Sequence, residues 1–434
     1  MATVRAVFIA ALCAGLGGAT QQGFLLGQSL SEIEQRIVGT VEEQKDAAID
    51  FLEKIVNINS GTMNHKGVRE VGKIFQEELE NLGFKTRWIP MEKANRAGHL
   101  FAERSGRQGK RLLLIGHLDT VFERDSPFQK FRRQGNMATG PGIEDMKGGD
   151  VVMLYALKAL AEADALEDAT IRVALIGDEE NAGDPLSLSR GDLIEAAHYS
   201  DVALGFEGGR TGKAVVARRS SGGWKVQVTA RPAHSSEIFQ EDVGSGALYE
   251  AARILHAFYE GLREEYLTFS AGLILGGTTV EYDPSQSRGS AFGKSNVIPE
   301  TAIISGDLRA ISLEQREKTQ ERMRAIVSES LPHTSSEISF SDTYPPMSPT
   351  EANYELLDQL AQVSRDLGFG PVEAIDPLER GAADVSFAAP HVGAALDGLG
   401  ATGLGGHTLQ ERIDLSKLPD MTRQAAIFIY RLTR

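Results

Sequence analysis

The sequence predicts an α/β fold with a mostly parallel mixed sheet, interrupted by an inserted α+β unit. Three observations predict it. Short apolar runs at 111–115, 171–176 and 201–206 read as buried strands, because both faces are apolar. Charged amphipathic stretches of helical period lie between them, the alternation expected of a layered sheet. From about Arg218 the pattern changes: Trp224-Lys225-Val226-Gln227-Val228-Thr229 alternates in polarity like a half-exposed strand.

The elements follow in order. Ile33, Ile37, Val41, Ala47, Phe51 and Ile55 recur at helical spacing and predict a helix over 29–56. A second helix is predicted over 68–82, ended by Gly83, and a third over 150–163. In the inserted unit a helix is predicted over 246–262, a strand over 302–308, an amphipathic helix over 314–330 and a strand over 336–340. The Gly-, Ser- and Asp-rich stretch 276–293 reads as a mobile loop. Pro345-Pro346 and Pro349 mark the return to the first unit, with helices predicted over 353–367 and 421–430. The predicted organisation is a first unit over 29–217 and 344–434 and an insertion over 218–343.

A length of 434 residues asks for at least two cores. The formal charge of −15 argues against a nucleic-acid partner. Residues 1–20 have the pattern of an export signal: Arg5, an apolar run from Ala6 to Leu16, then Gly17-Gly18-Ala19, with cleavage expected near Ala19. The expected location is periplasmic or secreted. No later segment has the apolar length of a membrane span, so stable insertion after cleavage is not expected. Cys13 is the only cysteine, so metal ligands in the mature chain must be His, Asp or Glu.

Five segments carry such groups. They are Gly116-His117-Leu118-Asp119-Thr120, the loop Gly140 to Gly149 with Asp145, Asp178-Glu179-Glu180, Phe206-Glu207-Gly208-Gly209 and Gly405-Gly406-His407-Thr408. His117, Glu179, Glu180 and Glu207 each follow a predicted strand closely, where sites of α/β sheets lie. The inventory suits two adjacent divalent cations and a general base. His117 reads as a ligand, with Asp119 orienting its imidazole. Asp145 reads as a bridge, since a carboxylate can offer one oxygen to each of two cations. Of the adjacent pair, Glu180 is assigned as ligand and Glu179 as the base, with Asp178 a rival for either role. Glu207 and His407 have small neighbours that leave access to their side chains, and His391 competes with His407. His234, in Ala233-His234-Ser235-Ser236, could donate to a tetrahedral oxyanion. Gly398-Leu399-Gly400-Ala401-Thr402-Gly403 matches the dinucleotide pattern, but no long helix follows it, and nucleotide binding is not expected there.

Taken together and in this order, these segments resemble the M20 metallopeptidases, and within them the glutamate carboxypeptidase group. The resemblance implies a zinc-peptidase-like catalytic domain with an inserted ferredoxin-like lid that forms a homodimer. It implies two Zn2+ per subunit, with Co2+ or Mn2+ as alternatives, one held by His117, Asp145 and Glu207 and the other by Asp145, Glu180 and His407. It also implies Glu179 as general base and His234 reaching the partner's site. Asn296 and Arg309 match lid positions that face substrate or hold the lid in shape. The implied reaction is carboxypeptidase-like cleavage of an amide bond beside a free carboxylate, in a peptide or an N-acyl amino acid. The chain departs from its glutamate-releasing relatives in one respect. They carry an Arg near the lid's return strand, whereas Asp342-Thr343-Tyr344-Pro345-Pro346 has none.

Overall fold

The computed structural model describes residues 30–434. The export signal expected over residues 1–20 and Cys13 lie outside the described residues. The chain enters the fold through Ser31, whose hydroxyl accepts from the Glu34 backbone while Glu34 reaches back to the Ser31 N–H, a reciprocal cap for the helix Glu32–Glu43. The single helix expected over 29–56 is two. The chain turns at Gln44 and restarts as Lys45–Val56, which lets both apolar faces meet one core.

That core covers one face of a six-stranded sheet in the order Lys85–Ile89, His99–Arg104, Ala169–Ile176, Gln108–His117, Val202–Gly205, Ala394–Leu396. The last four strands are mutually parallel and the first two are antiparallel additions at one edge. Side chains alternate across the sheet. Leu112 and Leu114 enter the larger core with the helices His65–Asn81, Gly148–Glu162 and Leu418–Leu432. Leu113 and Ile115 enter a smaller core with Leu193, Ala197 and Val385. Burial on both faces is why these strands read as continuous apolar runs. The two antiparallel strands went unread because Lys85–Ile89 is half-exposed and polar and His99–Arg104 begins on a histidine.

The insertion builds a second sheet in the order Thr268–Gly277, Thr301–Arg309, Ser221–Ala230, Thr334–Tyr344, antiparallel throughout. The helices Ala247–Gly261 and Leu313–Ser328 supply its separate core around Trp224, Ile254, Phe258, Ile304 and Met323. Chain order is βαββαβ, the ferredoxin-like arrangement. The loop expected over 276–293 is instead a hairpin, with Thr279–Asp283 paired to Arg288–Phe292 across a turn at Pro284–Gln286. Val280 and Tyr282 alternate with polar residues in its first strand, a period-two pattern that the glycines and serines obscured.

Candidate metal centre

The parallel strands end in register. His117 lies beside Ile176 and Ile115 beside Gly205, so the segments following them emerge at one edge. This brings His117, Asp178-Glu179-Glu180 and Glu207 together. Asp145 arrives on the loop before the helix Gly148–Glu162. Gly142 has φ +72°, a left-handed turn that suits glycine, and a Cβ on Gly149 would lie 1.8 Å from the Phe206 carbonyl oxygen. His407 arrives through a small sheet in which Gly403–Leu404, Arg412–Asp414 and Met137–Thr139 are neighbours, so the strand preceding Asp145 and the strands flanking His407 are tied directly.

Asp145 stands between the two histidines. Its Oδ1 is 3.1 Å from His117 Nε2 and its Oδ2 is 3.0 Å from His407 Nε2. Glu207 Oε1 lies 3.7 Å from His117 Nε2, and Glu180 Oε2 lies 3.0 Å from His407 Nε2. His117, Asp145 and Glu207 form one group of donor atoms within 4.8 Å of one another, and Asp145, Glu180 and His407 form a second. The shared residue is Asp145. Glu180 Oε1 is buried without a hydrogen-bond partner, an acceptor left over after its sister oxygen meets His407. Two trios of N and O donors sharing a carboxylate, with one buried oxygen to spare, fit a pair of divalent cations.

The electrostatics agree. Burial and the charge of Asp145 push Glu180 up to about 7 and Glu207 up to about 8. Hydrogen bonds to Asp145 and Glu180 push His407 up to about 11. Burial opposes ionisation of Asp145, yet His117 and His407 hold its carboxyl well below the usual range. Crowded carboxylates that raise one another's proton affinity are a field that positive charge relieves.

Asp119 is fully buried and organises this edge. Its Oδ1 lies 3.5 Å from His117 Nδ1 and accepts from the Glu179 N–H at 3.0 Å. Its Oδ2 accepts from the Glu180 N–H at 3.1 Å and the Thr62 hydroxyl at 2.6 Å. The His117 ring is held by the Asp119 backbone carbonyl, 3.0 Å from Nδ1, so imidazole and carboxylate pair are fixed by one residue. Glu179 is half-buried, and desolvation raises its proton affinity well above the usual carboxylate range. Asp178, the rival, turns away. It accepts from Arg190 at 2.6 Å, from Ser189 at 2.7 Å and from the Gly183 N–H at 2.8 Å. His391 sits apart in a short turn and packs on His198, ring centroids 4.4 Å apart. The glycine-rich decoy packs on the site from behind, the Gly400 N–H donating to the Glu207 carbonyl, and no helix follows it.

The residues expected from the insertion are not brought to this cluster within the chain. His234 is exposed, with Nδ1 bonded to Ser236 Oγ at 2.7 Å. Asn296 is exposed beside it, its carbonyl accepting from the Ser235 N–H. Arg309 donates to Asp307 at 2.8 Å and faces the Gly381 loop, where its Nη1 would lie 3.7 Å from a Cβ.

Several contributors had escaped sequence reading. Arg190 is fully buried and joins Asp178 to Asp384, each at 2.6 Å, while Tyr344 bonds both Arg190 and the Glu179 carbonyl. Glu411 accepts from the N–H groups of Gly142, Glu144 and Asp145 at 3.1, 2.7 and 3.0 Å. Glu411 is one acid among many polar neighbours, and nothing local marks it.

Comparison with known proteins places this geometry. Residues 113–431 match the peptidase family M20/M25/M40. The chain belongs to that family. It is a metallopeptidase-type hydrolase acting on amide bonds. This M20 chain is 28% identical over 416 residues to carboxypeptidase G2 of Pseudomonas sp. (strain RS-16), covering 94% of this chain and 95% of that one. It is 29% identical over 207 residues to a probable succinyl-diaminopimelate desuccinylase of Staphylococcus aureus (strain MRSA252), covering 46% and 47%. Its fold is shared with aminopeptidase PepT of Bacillus cereus, with a TM-score of 0.70 at 16% identity over 90% of this chain and 99% of that one. The YXEP protein of Bacillus subtilis, described as a dinuclear metal-binding peptidase of the M20 family, gives a TM-score of 0.64 at 16% identity over 90% and 99%.

Proposed function

We propose that this M20 hydrolase is an exported di-zinc exopeptidase of carboxypeptidase type, cleaving an amide bond next to a free carboxylate. The observation that carries the reading is the sharing of Asp145 between two trios of donor atoms. His117, Asp145 and Glu207 would hold one cation and Asp145, Glu180 and His407 the other. When bound, two cations polarise a water and the scissile carbonyl. Glu179 then takes the proton as the water oxygen adds to the carbonyl carbon, and passes it to the leaving nitrogen as the C–N bond breaks. Its raised proton affinity suits both halves of that task. Asp119 keeps the Glu179 and Glu180 backbone and the His117 ring in place.

The assignment of zinc rests on the His and carboxylate donors, with cobalt or manganese able to replace it. A homodimer through the insertion is supported by the strand Thr268–Gly277, which among the described residues has a hydrogen-bonded neighbour on one side only, and by exposed Ile274 on it and Leu248 beside it. In such a dimer His234 would serve the partner's site, stabilising the oxyanion, and Asn296 and Arg309 would face substrate. Export rests on the N-terminal sequence pattern. A second reading, hydrolysis of an N-acyl amino acid, is favoured by the desuccinylase relatives. A binder without catalysis would have no use for Glu179 beside the cluster. The test is hydrolysis of a panel of dipeptides and N-acyl amino acids, with and without chelator. Chelator-sensitive release of a free amino acid supports the proposal; absence of turnover across the panel, with metals loaded, overturns it.

A further inference from the structure

A site that cleaves beside a free carboxylate needs a cation to receive that carboxylate. The return strand Thr334–Tyr344 offers neither Lys nor Arg. Most guanidinium groups on the other side of the cluster are already committed. Arg190 is held by Asp178 and Asp384, and Arg309 by Asp307; Arg218 pairs with Asp397 through Nε and is buried, its Nη2 left without a partner. Arg219 gives its donors to Thr268 and to the carbonyls of Pro377 and Leu378.

Arg380 differs. Among the described residues no carboxylate lies within ion-pair distance of it. Its one hydrogen bond runs from Nη2 to the Gly208 carbonyl at 2.7 Å, and its Nε is buried without a partner. Gly208 directly follows Glu207, so the guanidinium is anchored one residue from a side chain of the metal cluster. It senses the charges of Glu207 and of Glu144, which neighbours Asp145. The side chain is half-exposed, so part of it remains open to solvent. Burial and the charge of Arg218 disfavour its cationic form, a cost that an arriving anion offsets. Loop packing fixes its position: Arg218 Nη1 donates to the Gly381 carbonyl at 2.9 Å, immediately after Arg380.

We propose that Arg380 is the specificity-determining residue that receives the substrate's free α-carboxylate, standing in for a cation missing from the return strand of the insertion. The inference rests on the carboxypeptidase-type reading. A planar guanidinium with one nitrogen tied to a backbone carbonyl presents its remaining donors in a fixed orientation, suited to a carboxylate and indifferent to a carboxamide.

The test uses the full chain, metal-loaded, in a Glu179→Gln background so that ligand binds without turnover. Calorimetry measures N-benzoylglycine against N-benzoylglycinamide, with and without Arg380→Met and Arg380→Lys. The expected result is that the acid binds more tightly than the amide. Arg380→Met should weaken the acid by about 10- to 100-fold while leaving the amide within about twofold, the size of one charge-assisted contact. Arg380→Lys should recover part of the loss. If Arg380→Met weakens acid and amide equally, the residue only holds the Gly208 turn and the proposal is overturned. If acid preference survives Arg380→Met, the carboxylate sits elsewhere; the proposal is overturned while the carboxypeptidase reading stands. If the parent binds both ligands alike, the carboxypeptidase reading fails and this inference with it.

Discussion

Glu411 sets the placement of Asp145, and its replacement should separate stability from metal affinity in a graded way. The carboxylate is fully buried and accepts from three backbone N–H groups of the loop that carries Asp145. Burial pushes its proton affinity up, to about 8, and the three donors pull it back. Both oxygens accept from these donors, which favour the ionised form against the burial that raises its proton affinity. Glu411→Gln keeps an oxygen for Glu144 and Asp145 but turns an NH2 toward the Gly142 N–H. The loss of one bond should cost about 1–2 kcal/mol. Glu411→Ala strands three donors at about 1–3 kcal/mol each, reduced where water enters, for about 3–5 kcal/mol in all. Because the stranded groups flank the carboxylate shared by both donor trios, divalent-cation affinity should fall by about 10- to 100-fold in the Ala variant, and less in the Gln variant. Urea midpoints and chelator competition measure the two effects. A Glu411→Ala variant that unfolds at the parental midpoint, or that loses stability while binding cations as tightly as before, would show that Glu411 does not hold this loop in place.

Two further outcomes follow from the same geometry. Glu179→Gln should lower kcat by about 10²- to 10⁴-fold with bound metal unchanged, read by turnover and elemental analysis together; undiminished kcat would remove Glu179 from the proton path. Arg431→Met should destabilise the chain by about 1–3 kcal/mol at pH 7, because Arg431 donates to Glu34 and Asp366, each at 2.6 Å. Burial acts to raise Glu34, but the bond from Arg431 and the Ser31 cap hold it below the ordinary 4.5 of a glutamate. A depressed carboxyl stabilises above its unfolded value and ceases to as pH falls through its folded value. The parental advantage over Arg431→Met should therefore be level near neutrality and shrink below about pH 4.5, measured by urea unfolding across pH; an advantage that grows in acid contradicts the sign.

The legible parts of the chain were those with strong local patterns. Leu112 to Ile115 and Ile171 to Ile176 are buried on both faces, and such strands announce themselves. His117, Glu179 and Glu207 could be picked out because each follows such a strand, and Asp145 because glycines and a proline surround it. The hairpin around Pro284 was misread since its alternation is carried by few side chains among small residues. The break at Gln44 was invisible because an apolar period can continue across a turn when both helices face one core. Glu411, Arg190 and Arg380 were out of reach for another reason. Their roles come from partners far away in sequence, and a charged residue in a polar loop has the same local appearance whether it is solvated or buried. Asp178 shows the converse: adjacent to two cluster residues, it was a natural candidate until the buried Arg190 claimed it.

One carboxylate, that of Asp145, belongs to both trios of donor atoms. Elemental analysis of the purified chain, after exposure to Zn2+ and removal of excess, tests its bridging role most directly when paired with Asp145→Ala. Two cations per parental chain and fewer than one in the variant are expected, since both trios lose their shared member. Parental protein that retains no divalent cation, or an Asp145→Ala variant that keeps both, would contradict that role.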